Sequence, residues 1–346
     1  MRDLPRADEP RLTLCSVSFH NARHLALNRR LAARLAGTGA LPWVVAENTP
    51  PGGQDRLHED AESFKVIPGV DAGHRPNYQH TEALQRCLEH VETRFLLVLD
   101  PDFYLLQPGW ATTVPAYMLE HRLAFFGVPW HPKHLDKYRY FPCVHCMFID
   151  LAQVPVDRLD FRPACADRSE AASPRRSGRL ADIGRMLTLQ GRRKNYRDTG
   201  TRLYREFARH PTLMHECATP VYRLPEDFPG TANPLSPRAR LFEALLPDSL
   251  CYLPKRKDSY TRTGFRETTG FTLPPHWEEF MWDAAPFGFH VRRNAAKGGR
   301  DENAELALLE DALDALAFKG GMKTRQPGRT RSPAAPCRGT TADQQK

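Results

Sequence analysis

No stretch of this 346-residue chain approaches the roughly 18 consecutive apolar residues of a membrane-spanning helix. The opening Met-Arg-Asp-Leu-Pro-Arg-Ala-Asp-Glu-Pro lacks the apolar core of a secretory signal, so a cytoplasmic protein is expected. No internal repeat is visible, which excludes solenoids and propellers. Cysteine is sparse. Eight residues are scattered through the length, which suits reduced core thiols and not a disulfide framework.

What is present is a globular composition, 41% hydrophobic, with a formal charge of +8 that is unevenly spread. Residues 162–205 hold 12 Lys/Arg against 4 Asp/Glu, and residues 323–346 hold 6 against 1. The remainder is therefore net acidic. Basic segments of this kind suit anionic lipid, phosphate or nucleic acid, or plain solvation.

Hydrophobic patterning places strands at 12–19, 42–46, 64–67 and 95–99, with helices at 22–36 and about 79–92 between them. A helix at 110–121 and strands at 123–129 and 143–150 follow. Strands alternating with helices predict an α/β fold with a mostly parallel sheet flanked by helices. Residues 163–195 read as a flexible basic insertion, although 179–190 has the composition of a short helix. A helix is expected at 201–210, little regular pattern at 220–275, a strand at 287–292 and an acidic helix at 301–318. Residues 1–10 read as a leader and 319–346 as a disordered basic tail.

The informative stretch is Phe95-Leu-Leu-Val-Leu-Asp-Pro-Asp102. Five apolar residues end in two carboxylates one residue apart, where a buried strand leaves the core. Ligands bind at the carboxyl ends of such strands. Paired acids there suit a hard cation, Mg²⁺ or Mn²⁺, bridging to diphosphate oxygens, although Asp and Pro also make ordinary turns.

In order along the chain, several segments resemble the GT-A glycosyltransferases, closest to the family 2 type. Leu14-Cys-Ser-Val-Ser-Phe-His-Asn21 resembles the family's opening strand and Val44-Val-Ala-Glu-Asn-Thr-Pro50 its second. Asn77 to Leu84 resembles its Asn- and Ala-rich helix start, and Leu97-Val-Leu-Asp-Pro-Asp102 its Asp-x-Asp strand. Cys146-Met-Phe-Ile-Asp150 resembles a strand lining the acceptor side. The resemblance implies a GT-A, Rossmann-like core at 11–150 that binds a nucleotide sugar. Residues 151–318 would be the acceptor-side, irregular C-terminal part of the same catalytic domain.

It further implies a sugar moved from a nucleoside-diphosphate donor to a hydroxyl on a glycan, lipid-linked saccharide or protein, with inversion. By resemblance, Asp100 and Asp102 would hold the metal, with Asp100 also near the ribose. Ser18, Asn21 and Glu47 would line the nucleotide pocket, Glu47 standing where the family carries Asp. Arg75 would meet a phosphate. Asp198, at the start of a helix, would be the general base, or else that helix's N-cap. Glu226-Asp227 is the other acidic pair of the kind. His290, near a strand end, would reach the metal or the diphosphate. Trp130, His131 and Tyr138, with His134 and Tyr140, would form an acceptor rim. The basic insertion would close over the donor or approach an acceptor or the inner membrane surface.

Two other readings remain at this level. His131-x2-His134 and Cys143-x2-Cys146 have the ligand types of a zinc site, as in a nucleic-acid-binding protein, provided that the strand begins after Cys143. A nucleotidyltransferase would share the architecture, but His20-Asn-Ala-Arg-His24 has no glycine for its phosphate loop.

Overall fold

A computed structural model describes residues 12–58, 63–70, 76–135, 137–164, 198–223, 237, 241, 244–291 and 302–318. In chain order the elements are β1 (Leu12–Ser18), α1 (Ala22–Leu35), β2 (Trp43–Glu47), β3 (Lys65–Pro68), α2 (Pro76–Cys87), β4 (Phe95–Leu99) and β5 (Phe103–Leu105). There follow α3 (Trp110–Glu120), β6 (Leu123–Gly127), β7 (Cys146–Asp150), α4 (Thr201–Phe207), β8 (Met214–Cys217) and β9 (Thr219–Pro220). Last come α5 (Phe265–Thr269), β10 (Glu278–Trp282), β11 (Ala285–His290) and α6 (Glu302–Leu313). The leader, the basic insertion beyond residue 164, Arg75, Glu226-Asp227 and the tail lie outside the described residues.

The large sheet has the order β3-β2-β1-β4-β7-β6-β8. It is the expected mostly parallel α/β sheet with helices packed on it. β1, β2, β4, β6 and β7 are buried at every position, the apolar runs of β4 and β6 together with the polar Thr13, Ser16 and Ser18 of β1, Glu47 of β2 and Asp150 of β7. From β1 the chain builds outward through β2 and β3, then returns to the other side of β1 with β4. The crevice between the ends of β1 and β4 is therefore the topological switch point, where open α/β sheets bind ligands.

Two features depart from the expected plan. β7 runs antiparallel to both β4 and β6, so the sheet is mixed. The expected 143–150 strand begins only at Cys146. A second, antiparallel sheet, β5-β11-β10-β9, joins the strand expected at 287–292, here β11, to three segments that the patterning left irregular or unplaced. Those three strands are two to five residues long, too short for a period to register.

The Asp100-Pro101-Asp102 turn connects the two sheets, because β4 ends at Leu99 and β5 begins at Phe103. α1 clamps that turn. Its inward face carries His24, Leu25, Asn28, Leu31 and Ala32 at helical spacing. Asn28 Nδ2 donates to the carbonyls of Pro101 at 2.8 Å and Phe103 at 3.0 Å. The β4–β7 pair is held at its far end by Arg94, which grips the fully buried Asp150 through two bonds of 3.0 Å.

All six cysteines among the described residues are free thiols, five of them buried. No helix of the described residues is long and apolar enough to cross a membrane.

Candidate functional site

Strand register assembles the site. In the β4–β7 pair Leu99 faces Cys146, so the next residues outward, Asp100 and His145, meet at the strand ends. The Asp100 N–H donates to the His145 carbonyl at 2.9 Å. In the small sheet His290 of β11 faces Phe103 of β5, which brings it beside Asp102. The Val291 N–H donates to the Asp102 carbonyl at 2.8 Å. In the next pair, Glu278 of β10 faces His290.

Asp100, His145 and His290 consequently converge. One ligand atom from each lies within 4.8 Å of the others, and this is the one such group among the described residues. The two imidazole rings lie 4.2 Å apart, centroid to centroid. His145 Nε2 is 3.8 Å from Asp100 Oδ2, and His80 Nε2 from α2 is 3.8 Å from Asp100 Oδ1.

Asp102 supports this group from outside it. His290 Nε2 donates to Asp102 Oδ1 at 3.2 Å, and Nδ1 donates to Glu278 Oε2 at 3.2 Å. Glu278 is fully buried. It also pairs with His134 and lies 3.5 Å from Lys133 Nζ. Burial alone would lower the His290 pKa, but the carboxylates of Asp102 and Glu278 outweigh it and raise it to about 9. The imidazolium between two carboxylates is the form held when no other cation is near.

At the ends of β1 and β2 the other expected residues meet one another. Ser18 Oγ donates to Glu47 Oε2 at 2.8 Å. Glu47 also accepts the N–H of Thr49 at 2.6 Å and of Leu57 at 2.7 Å, so its carboxylate braces the loop after β2. Asn21 Oδ1 is buried and has no hydrogen-bond partner. Between them His20 adopts φ 56°, a strained value for a residue with a side chain. Phe19 is 49% exposed at this same strand end.

Trp130, His131 and Tyr138 lie inside the fold and not on an open rim. Trp130 packs 4.5 Å from the His145 ring, His131 Nε2 donates to the Val221 carbonyl at 2.8 Å, and Tyr138 stacks on Tyr204 at 4.6 Å. These contacts close the loop after β6 over the large sheet. With His131 and His134 directed to Val221 and Glu278, they do not gather with Cys143 and Cys146 around an ion, although the strand does begin after Cys143.

Asp198 is not the cap of α4, since Gly200 occupies that position with φ 79°. Its carboxylate instead takes Lys137 Nζ at 2.5 Å, and Lys137 lies 4.3 Å above the Trp130 ring. Asp198 thus reaches the histidine pair through Lys137 and Trp130.

The sequence reading missed His145, Glu278 and Asn28. A histidine just before a buried strand was visible at 145, but only antiparallel pairing with β4 delivers it to Asp100.

No family model and no curated protein matches the sequence. Parts of the chain resemble solved structures. One is the mannosyltransferase PcManGT from Pyrobaculum calidifontis in complex with GDP-Man and Mn²⁺, 10% identical over 43% of this chain and 48% of that one, with a TM-score of 0.31. Another is S. aureus TarS 1-349 in complex with UDP-GlcNAc, 13% identical over 34% of each chain, with a TM-score of 0.26. The chain spans about half the length of the first and about a third of the second.

Proposed function

We propose that the protein is a metal-dependent glycosyltransferase that moves a sugar, with inversion, from a nucleoside-diphosphate donor to a hydroxyl acceptor. The observation that carries this reading is the convergence of Asp100, His145 and His290 at the sheet's switch point, on the turn that also bears Asp102.

The donor set fits a divalent ion. Two imidazoles and a carboxylate suit Mn²⁺ and its first-row neighbours, and Glu278 orients the His290 ring through Nδ1. When bound, such an ion neutralises the charge of a diphosphate leaving group. Asp102, which accepts from His290 Nε2 in the ion-free form, would yield that nitrogen to an ion, and Asn28 keeps the turn in place.

The nucleoside side lies at the ends of β1 and β2. Asn21 Oδ1 offers a buried acceptor, whose lack of a partner costs about 1–3 kcal/mol until a ligand donor arrives. Phe19 offers an exposed aromatic face. Ser18 and Glu47 shape this pocket by holding the loop after β2. Arg75 remains a proposed phosphate contact outside the described residues. Asp198 is the proposed general base. The Lys137 pair must open for it to take the acceptor proton.

The test is thermal unfolding against nucleoside diphosphates and nucleotide sugars, with and without Mn²⁺. A ligand that binds only the folded state at 100 times its Kd stabilises it by about 2.7 kcal/mol. The reading expects a shift that needs both Mn²⁺ and one nucleotide and disappears in Asp100→Ala. No shift with any nucleotide would sink it.

A further inference from the structure

The His131-x2-His134 and Cys143-x2-Cys146 pairs do not converge on one another, yet each sends one side chain to the outside of the Asp100–His145–His290 group. His134 Nε2 pairs with Glu278, which takes His290 Nδ1. Cys143 Sγ lies 3.3 Å from His145 Nδ1, within hydrogen-bond reach of a sulfur atom.

The turn carrying His145 has a fixed backbone. The Cys143 N–H donates to the Val128 carbonyl at 2.8 Å, and the Cys146 N–H closes the turn onto the Cys143 carbonyl at 3.3 Å. The His145 carbonyl accepts from the Asp100 N–H at 2.9 Å. These bonds leave the imidazole free to turn about its own side-chain torsions. Packing narrows that freedom: Trp130 meets the ring edge-on at 4.5 Å and His290 covers it at 4.2 Å, centroid to centroid. A ring flipped by half a turn about its Cβ–Cγ bond would keep both packing contacts. It would put Cδ2 at Cys143 and Cε1 toward Asp100, where the present ring has Nδ1 and Nε2. The contact with Cys143 is chemical, and it tells the two orientations apart.

We infer that Cys143 is a positioning residue for His145, its sulfur accepting the Nδ1–H so that the Nε2 lone pair faces Asp100. Nε2 is the nitrogen on that side, 3.8 Å from Asp100 Oδ2. An imidazole that ligates through one nitrogen gives its other N–H to an acceptor, which fixes tautomer and orientation. Glu278 does this for His290 with a buried carboxylate, and Cys143 does it for His145 with sulfur. Cys143 is fully buried and His145 nearly so, which keeps water from competing for Nδ1. The sulfur lies across the imidazole from Asp100, so it supports the ligand and is not one itself. The inference rests on reading Asp100, His145 and His290 as metal ligands.

The experiment compares Cys143→Ala, Cys143→Val and Cys143→Ser with the parent, each as the full chain. Alanine removes the sulfur, valine fills its space without an acceptor, and serine restores a smaller acceptor. Titration calorimetry with Mn²⁺ alone should give an affinity about tenfold lower in the Ala and Val variants and near the parent's in the Ser variant. A second readout needs no metal. In protein with 13C-labelled histidine, the His145 ring resonances are assigned by their loss in His145→Ala. They should be single in the parent and the Ser variant, and broadened or doubled in the Ala and Val variants. Melting temperatures verify that the variants fold. Mn²⁺ affinity unchanged in the Ala and Val variants overturns the proposal. So does an equal loss in all three variants, which is the mark of packing alone. If the parent itself takes up no Mn²⁺, the metal-site reading falls. The ring resonances then judge Cys143 by themselves, and an undisturbed ring in the Ala and Val variants counts against it.

Discussion

The N–H of Asp100 donates to the carbonyl of His145 at 2.9 Å, across the outermost step of the β4–β7 pair. That bond fixes two side chains from different strands at the spacing of an ion's ligands. His145→Ala keeps the backbone bond and removes the imidazole. Mn²⁺ affinity measured by titration calorimetry should fall by at least tenfold to 100-fold, while the fold is kept. Unchanged affinity would remove His145 from the ligand set.

Asn28 acts at a distance of one turn. Its amide satisfies two carbonyls of the Asp-Pro-Asp turn, and Asn28→Ala leaves both unmade in a buried place. A loss of roughly 1–3 kcal/mol in denaturant unfolding is expected. Mn²⁺ binding should weaken as well, because the turn carrying Asp100 is freed. Loss of stability with no change in Mn²⁺ affinity would show that the clamp serves the fold alone.

A pH effect follows from His131. Burial, with help from Lys133, lowers its pKa from 6.5 to about 3. The unfolded chain therefore binds a proton near pH 6.5 that the folded chain refuses until about pH 3. Its contribution is full above pH 6.5. Between 6.5 and 3, stability falls with falling pH by about 1.4 kcal/mol per unit. His290, held up at about 9, acts in the opposite sense: its contribution is present below pH 6.5 and is lost as pH rises through 9. His131→Gln keeps a donor for the Val221 carbonyl. Its unfolding curve should have a shallower acid slope than the parent and run parallel to it above pH 7. The remaining slope comes from groups such as His80, whose pKa burial lowers to about 4. An identical acid slope in both proteins would refute the assignment.

Asp198→Asn tests the proposed base. The amide can still contact Lys137 but cannot take a proton. With a donor in hand, kcat should drop by about 10² to 10⁴ while KM changes little. A rise in KM at constant kcat would instead make Asp198 a binding residue.

Much of the large sheet was legible in local patterning, because β4 is an unbroken apolar run, β1 and β2 are predominantly apolar, and α1 has a clear inward face. The acids at 100 and 102 were legible for the same reason, since a strand end is a local event. His145 was not, because its meeting with Asp100 depends on strand direction and register, which residues 143–150 do not encode alone. Glu278 was hidden in Glu-Glu-Phe-Met-Trp, a strand whose first two residues look solvent-facing. It is buried because His290 of β11 and the neighbouring Lys133 and His134 of the loop after β6 converge on it. Ser18 and Glu47 were recognised individually, but their mutual hydrogen bond required the parallel β1–β2 register that sets them opposite each other.

The Asp-Pro-Asp turn is also a seam. Asp100 and His145 belong to the seven-stranded sheet and His290 to the four-stranded one, so an ion held by all three is a rivet between them. Chelation should then loosen the smaller sheet before the larger. Amide hydrogen exchange in β10 and β11 should quicken on metal removal while β1 and β4 stay protected.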